Sequence, residues 1–305
     1  MFEDVPLYWD AWDVMDYHLE TRKPVKTVIQ NAKIIETSPL RAVVEVSLKI
    51  SEASSIKQLI TLEAGCPYVK FQTEVTWFEN RKFLKVEFPL NVHTAQCTYE
   101  VQSGYLQRPT HFNTSWDWAK YEVCGHKWAD LSEYDFGVAV LNNSKYGWSC
   151  INNVLRLSLL RSAKAPDDNA DMGVDKFTYA MMPHNGTFQN AGVIQAAYEL
   201  NVPLRPSALK LNSDTANSNS YMSISSPAVI LQTLKKAEDS NDLVLRVYEA
   251  YGGQASTSVT LKFPVKEVKR CTGLEDQIEG DINLIKGVFC FTLRPFEIAS
   301  FLLKV

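Results

Sequence analysis

One stretch of the sequence, 107–134, mixes aromatic, acidic and basic side chains without the period of a strand or a helix. It holds three tryptophans, two of the five histidines and four carboxylates: Trp116, Trp118, Trp128, His111, His126, Asp117, Glu122, Asp130 and Glu133. Such a mixture is costly to bury unless its polar groups are paired. Aromatic faces beside carboxylates suit a sugar, because rings stack on a pyranose and carboxylates accept from its hydroxyls. A polar loop held in place by core tryptophans explains the same composition.

A second aromatic and acidic stretch lies at the start of the chain, within residues 2–19. It brings together Tyr8, Trp9, Asp10, Trp12, Asp13 and Asp16. A domain seldom begins so abruptly, because chain termini are usually polar and frayed. The sequence therefore predicts a piece of a longer protein that lacks some of its first strands.

Acid–base chemistry on a glycosidic bond needs two carboxyl groups held roughly 5–10 Å apart. Asp10, Asp13 and Asp117 lie in aromatic settings that could raise or orient a carboxyl group. Spacing along the chain brings no two of them together. The alternative is that each carboxylate caps a turn or pairs with a nearby Arg or Lys.

Other catalytic patterns are missing from the sequence. It contains no Gly-x-Ser-x-Gly elbow, no glycine-rich phosphate loop and no His-x-x-x-His pair. His111 and His126 with Asp117 or Cys124 could hold a metal ion, but their spacing matches no common site, which favours structural roles. The loop 163–173 resembles a calcium loop only loosely. We predict neither a catalytic residue nor a metal site in this chain.

Composition limits the partners and the compartment. The net charge of −4 indicates neither nucleic acid nor an anionic membrane as a partner. No apolar run reaches the roughly 20 residues of a membrane helix, and no signal peptide precedes the first strands. The six cysteines are far apart, which is typical of free thiols in a reducing compartment and predicts a cytoplasmic protein.

Alternation of apolar and polar residues predicts the elements that must hold these stretches. It marks strands at 42–50, 68–77, 83–88, 96–101, 136–141, 154–160 and 177–184. A short helix is expected at 190–200, capped by Asn190. The Ser- and Asn-rich stretch 207–221 is predicted to be a linker. Beyond it, alternation returns at 228–234, 243–251, 256–263 and 288–303.

Strands without intervening helices predict an all-β protein whose antiparallel sheets pack as sandwiches. We expect a large β-sandwich at 1–206 and a small C-terminal β-sandwich at 222–305.

Several motifs together resemble one known family. They are 7–14 (Leu-Tyr-Trp-Asp-Ala-Trp-Asp-Val), 108–122, 126–133, 159–167, 177–180, 192–198 and 226–229. They are similar to the C-terminal region of class II α-mannosidases, family 38 of the glycoside hydrolases. The cytosolic and vacuolar branch matches best, above all its animal cytosolic members.

This resemblance implies a mutarotase-like β-sandwich followed by a smaller one. It also implies a longer protein that removes terminal α-mannose from free oligosaccharides by a retaining mechanism. In the family, two Asp and two His of an N-terminal barrel hold a divalent metal, zinc or cobalt, and one of those Asp is the nucleophile. No position here can inherit these roles, so the chain alone is expected to be inactive.

The resemblance also implies that loops of the sandwich complete the sugar pocket. The expected substrate-binding residues are Trp9, Asp10, Trp12 and Asp13 on one side, and His111, Asn113, Trp116 and Asp117 on the other. Alternatively, these residues only attach the sandwich to the missing barrel.

The expected partners are a mannose-containing oligosaccharide, the missing barrel and further copies of the chain, joined through an exposed apolar patch. A stand-alone carbohydrate-binding or scaffold module without catalysis is the alternative. A sugar mutarotase would need a His and Glu pair in a cleft, and no spacing indicates one.

Overall fold

The computed structural model describes residues 1–23, 29–208 and 219–305, which form two compact units. The first unit comprises Met1–Val101 and Leu106–Leu204, and the second comprises Gln102–Tyr105 and Arg205–Val305. Both units are built from antiparallel sheets with few helical residues, so the predicted all-β fold class is confirmed.

The first unit contains strands β1 to β14, except for the first two residues of β8, and three short helical segments. The strands are β1 (Phe2–Glu3), β2 (Ile29–Thr37), β3 (Arg41–Lys49), β4 (Ser55–Glu63), β5 (Val69–Trp77), β6 (Lys82–Pro89), β7 (Gln96–Val101), β8 (Gly104–Pro109), β9 (Val123–Cys124), β10 (Trp128–Ser132), β11 (Phe136–Asn142), β12 (Gly147–Ile151), β13 (Val154–Arg161) and β14 (Gly173–Asn185). The helical segments are a 3₁₀ helix (Asp16–Thr21), α1 (Ser115–Trp118) and α2 (Val193–Asn201).

Two sheets sandwich the core of this unit. One has the strand order β1-β6-β13-β12-β9, and the other has the order β2-β3-β4-β5-β14-β11-β10-β7-β8. Strand β5 shows why these residues form the sandwich: Val75 and Trp77 are fully buried, while Gln72 on the opposite face is exposed. Each such apolar side chain contributes about 1.5–3 kcal/mol by leaving water. The Trp77 indole N–H donates to Ser162 Oγ at 2.7 Å, which satisfies its polar group.

The second unit contains the remaining strands, β15 (Met222–Ile224), β16 (Val229–Lys236), β17 (Leu243–Glu249), β18 (Ala255–Leu261), β19 (Glu267–Cys271), β20 (Gln277–Asp281), β21 (Val288–Leu293) and β22 (Ile298–Lys304). They form a three-stranded sheet, β15-β18-β21, and a five-stranded sheet, β16-β17-β22-β19-β20. Val247 and Phe301 from one sheet and Val259 and Phe289 from the other lie in one buried core.

Two sequence predictions of local structure were wrong. The stretch 288–303 is two strands, because Pro295 cannot donate a backbone hydrogen bond and Phe296 has a left-handed φ of 58°. Helix α2 begins after Gly192 (φ 75°), not after Asn190, whose backbone N–H donates to Thr187 Oγ1 within the preceding turn.

Most of the predicted linker, 207–221, lies outside the described residues, because 209–218 are not described. The predicted domain boundaries therefore stay a prediction. No helix within the described ranges is long and apolar enough to cross a bilayer.

Candidate functional site

A tight turn near the N-terminus displays two of the predicted site residues. Trp9 has a left-handed φ of 56°, and its carbonyl accepts from the N–H groups of Trp12 (2.9 Å) and Asp13 (3.2 Å). The turn sets the two indoles edge to face with centroids 6.4 Å apart. Each tryptophan is 71% exposed, so the turn presents a pair of open aromatic faces.

Asp10 in the same turn is committed to the protein itself. Its Oδ2 accepts from the backbone N–H groups of Lys164 (2.5 Å) and Ala165 (3.0 Å), and its Oδ1 lies 3.3 Å from Arg81 Nη1. The side chain is only 13% exposed. The geometry makes Asp10 a residue that positions the turn, with few lone pairs left for a ligand.

Asp10→Ala is expected to lower the free energy of unfolding by about 1–3 kcal/mol, because two backbone donors and Arg81 lose their acceptor. Urea unfolding followed by far-UV circular dichroism measures the loss. Asp13→Ala is the matched control: its exposed carboxylate caps only the Val14 N–H at 2.9 Å, so its loss should be smaller. Equal losses in both variants would contradict the positioning role of Asp10.

Asp13 is held through its backbone. Its carbonyl accepts from Arg161 Nη2 at 2.5 Å, and Arg161 Nε donates to Asp4 Oδ2 at 2.6 Å. The buried Asp4 carboxylate and the half-buried Arg161 thus tie the end of the turn to strand β13.

The second predicted group surrounds helix α1. Thr114 and Asp117 form a capping box, in which each side chain accepts from the other's backbone N–H at 3.2 Å. Asp117 Oδ2 also lies 3.7 Å from His111 Nδ1. Asn113 and Trp116 are exposed, Trp116 by 80%. The cap therefore explains why four polar and aromatic residues form a helical turn here.

Residues outside the expected substrate-binding set join the two stretches. The Trp118 indole N–H donates to Asp16 Oδ2 at 3.3 Å, and Trp118 packs edge to face on Phe112 with centroids 5.0 Å apart. Tyr121 lies near the same carboxylates: burial first, and then the charges of Asp13 and Asp16, raise the pKa of its phenol. We call residues 7–16 and 111–121 the aromatic–acidic surface. Its two halves meet at the Asp16–Trp118 contact.

The predicted site residues do not share one cleft. Trp9 and Asp10 line a cleft of about 300 Å³ together with Pro6, Leu7, Tyr8, Arg81, Lys164 and Ala165. His111 lines another of about 500 Å³, which we call the histidine cleft, with Asn91, Val92, His93, Thr94, Ala95, Thr110, Glu133, Asn152 and Asn153. The remaining predicted residues, Trp12, Asp13, Asn113, Trp116 and Asp117, line neither.

Other polar residues of 107–134 have structural partners. Glu122 pairs with the buried Lys85 and accepts from the Ser158 hydroxyl. Asp130 Oδ2 lies 2.8 Å from His184 Nε2 in the interior. Trp128 is buried, so for this tryptophan the core interpretation is confirmed.

The residues considered as metal ligands in the sequence lie in pairs, and a pair does not complete a metal site. Cys124 Sγ lies 4.0 Å from His126 Nε2, and His111 Nδ1 lies 3.7 Å from Asp117 Oδ2. Within residues 1–23, 29–208 and 219–305, no three His, Cys, Asp or Glu side chains group as metal ligands. All six cysteines are free thiols.

Two domains of one known family match the chain. The glycosyl hydrolases family 38 C-terminal domain matches residues 1–169, and the glycosyl hydrolases family 38 C-terminal beta sandwich domain matches residues 228–301.

Similar proteins carry α-mannosidase names. Alpha-mannosidase 2C1 of Homo sapiens is 53% identical over 99% of this chain, Alpha-mannosidase G of Dictyostelium discoideum is 43% identical over 99%, and Alpha-mannosidase of Saccharomyces cerevisiae is 39% identical over 99%. The chain spans only 29%, 28% and 30% of these relatives.

A solved structure agrees with the fold. An α-mannosidase from Enterococcus faecalis V583 superposes with a TM-score of 0.75 at 16% identity, over 89% of this chain and 35% of that one.

Proposed function

The chain belongs to glycosyl hydrolase family 38, and from this membership we propose that it is the C-terminal portion of an α-mannosidase. The observation that carries the proposal is the 53% identity to human Alpha-mannosidase 2C1 along 99% of the chain.

The proposed activity of the whole protein is hydrolysis of terminal α-mannose from free oligosaccharides, with retention and with a divalent metal, zinc or cobalt. The described residues offer no fitting set of metal ligands, so the proposal places metal and nucleophile in a segment outside this chain. The chain alone is then expected to be inactive, because its carboxylates Asp10, Asp117 and Glu122 are committed to structural contacts.

We assign the aromatic–acidic surface one of two roles in that protein. It lines the sugar pocket, or it binds the catalytic segment. The exposed indoles of Trp9, Trp12 and Trp116 suit both roles, because they offer apolar area with a polar N–H at the edge. Exposed apolar area also supports a homo-oligomer, which static light scattering over a range of concentrations tests.

A chimera tests the proposal. In human Alpha-mannosidase 2C1, the region similar to this chain is replaced by the chain itself. We expect the chimera to hydrolyse 4-nitrophenyl α-D-mannopyranoside in the presence of Zn²⁺ or Co²⁺. The 305-residue chain alone should show no turnover under the same conditions.

Turnover by the isolated chain would contradict the placement of metal and nucleophile outside this chain. A folded but inactive chimera would contradict the α-mannosidase assignment. Trp9→Ala and Trp116→Ala in the chimera separate the two roles of the surface. A higher KM with an unchanged melting temperature indicates a sugar contact, whereas a lower melting temperature indicates attachment of the catalytic segment.

The alternative is a stand-alone carbohydrate-binding or scaffold module without catalysis. The edge-to-face pair of Trp9 and Trp12 favours it, because exposed indoles can bind sugar without any catalytic group. Sugar binding by the chain, combined with an inactive chimera, would support this function.

A cytoplasmic location is part of the proposal. It is supported by the six unpaired cysteines, since secreted proteins usually pair theirs. Fluorescence microscopy of the tagged full-length protein tests it.

A further inference from the structure

The histidine cleft lies outside the turn that displays Trp9 and Trp12. Four separate connections of the first unit form it. They are the β6–β7 connection, the residues after β8, the turn after β10 and the β12–β13 turn. Its volume of about 500 Å³ lies within the usual range for small-molecule sites.

Hydrogen bonds hold these four connections together. The Asn152 N–H donates to the Thr110 carbonyl at 2.7 Å, and Thr110 Oγ1 donates to the Thr94 carbonyl at 2.7 Å. The His93 N–H donates to Glu133 Oε2 at 2.9 Å, which ties the turn after β10 to the same wall. Asn153 Nδ2 donates to the Leu90 carbonyl at 2.6 Å. The walls are therefore ordered before any ligand arrives, which lowers the entropic cost of binding.

Several polar groups of the cleft remain available after this framework is made. Glu133 uses one carboxylate oxygen for the His93 N–H and is exposed. His111 Nδ1 is enclosed and lies 3.7 Å from Asp117 Oδ2, so it offers no contact to a ligand in the cleft. Asn152 is exposed and uses only its backbone in the framework, at a left-handed φ of 54°. The cleft thus offers a carboxylate and an amide with unused capacity.

The chemistry of the lining excludes most ligand classes. No Lys or Arg lines the cleft, so phosphate and carboxylate ligands lack a counter-charge. Val92 and Ala95 are its only apolar lining residues, too few to hold an apolar ligand. The described residues contain no three-ligand metal cluster here. A neutral ligand with many hydroxyl groups satisfies both the donors and the acceptors of this lining.

We propose that the histidine cleft binds one hexopyranose ring. Glu133 accepts hydrogen bonds from ring hydroxyls, and the side-chain amide of Asn152 bonds to the neighbouring oxygens. The site is separate from the turn that displays Trp9 and Trp12. The inference concerns binding by this chain alone, so it does not depend on α-mannosidase activity.

The test is isothermal titration of the 305-residue chain with the methyl α-D-pyranosides of mannose, glucose and galactose. We expect saturable binding of at least one of them. Glu133→Gln and Asn152→Gly should each weaken it about tenfold, because each removes a ligand hydrogen bond. Gln retains an acceptor for the His93 N–H, and Gly tolerates the left-handed backbone of position 152, so both variants should melt like the parent chain.

Glu52→Gln is the matched control: it changes an exposed carboxylate that is not part of the cleft lining, and it should leave the affinity unchanged. Absence of saturation with all three glycosides would overturn the proposal. So would binding that survives both cleft variants or is lost in Glu52→Gln. Competition with an α-1,2-linked mannobiose then separates the two sources of the ring. If the mannobiose binds as tightly as the methyl glycoside or more tightly, the ligand is the end of a glycan. If it binds more weakly, the ligand is a free monosaccharide.

These outcomes are independent of the chimera. An inactive chimera with intact binding would remove the α-mannosidase proposal and leave the cleft assignment standing.

Discussion

Glu122→Ala is expected to cost about 3–5 kcal/mol of unfolding free energy, because it leaves a buried charge without its partner. The side chain of Lys85 is fully buried and pairs with Glu122. Its ammonium lies 4.5 Å from the centroid of the Phe83 ring, in an apolar wall that offers little solvation. Burial lowers the pKa of Lys85, and the Glu122 charge opposes that shift. Removal of Glu122 also leaves the Ser158 hydroxyl without its acceptor.

Urea unfolding at pH 7 measures this loss. The double variant Lys85→Met with Glu122→Gln should lose much less, because it buries no charge and Gln can still bond to Ser158. Glu52→Ala is the matched control: it breaks an exposed pair with Lys49 and should change little. If Glu122→Ala and Glu52→Ala unfold alike, the Lys85–Glu122 pair is not the buried ion pair described above.

A pH series adds a second readout for Glu122→Ala. The folded-state pKa of Lys85 lies below its unfolded value of 10.5, so the unfolded chain binds more protons between the two values. Stability should therefore rise as the pH rises towards 10.5, and it should rise more steeply in the variant, where no carboxylate opposes the shift. A flat profile would mean that Lys85 is solvated.

The clearest strand pattern in the sequence belongs to a strand with one buried face. Strand β5 alternates strictly, because Val75 and Trp77 point into the core while their neighbours face outwards. Strand β2 gave no such pattern. It is an edge strand in which Ile34 and Ile35 are both exposed on opposite faces, so no alternation is required of it.

The candidate site was harder to predict from the sequence, because its contacts join residues that lie far apart in the chain. The aromatic neighbours of Asp10 made it a candidate site residue. Its carboxylate instead accepts from the backbone N–H groups of Lys164 and Ala165, more than 150 positions away in the chain. The alternative that carboxylates cap turns or pair locally describes Asp117 well, because its capping box lies within three residues. The sequence did not predict the histidine cleft, because its lining residues also lie far apart in the chain. Its walls come from four connections that no sequence period relates.

The stability of the first unit is expected to fall steeply in acid because of His18. Burial, and then the positive charge of Lys85, lower the pKa of His18 from 6.5 to about 3. The ring is surrounded by Phe2, Phe83 and Tyr121, and its Nε2 has no hydrogen-bond partner among the described residues. Protonation would therefore place a second positive charge beside Lys85 in an apolar site.

The sign of the effect follows from the two protonation states. Between pH 6.5 and about 3 the unfolded chain carries the proton and the folded chain does not. The stability that neutral His18 provides is complete above pH 6.5 and is lost as the pH falls through this window. At about 1.4 kcal/mol per pKa unit, the loss reaches about 3–5 kcal/mol near pH 3.

His18→Leu should remove this part of the pH dependence. Leu fits the aromatic surroundings and only gives up the hydrogen bond from Nδ1 to the Met15 carbonyl at 2.8 Å, so stability at pH 7 should change by about 1 kcal/mol. The measurement is the difference between variant and parent in urea unfolding at pH 7, 5 and 4, which cancels the carboxylates common to both. His93→Gln, a change at an exposed histidine, should keep the parent's slope. Parallel profiles for His18→Leu and the parent would show that His18 is protonated in the folded chain.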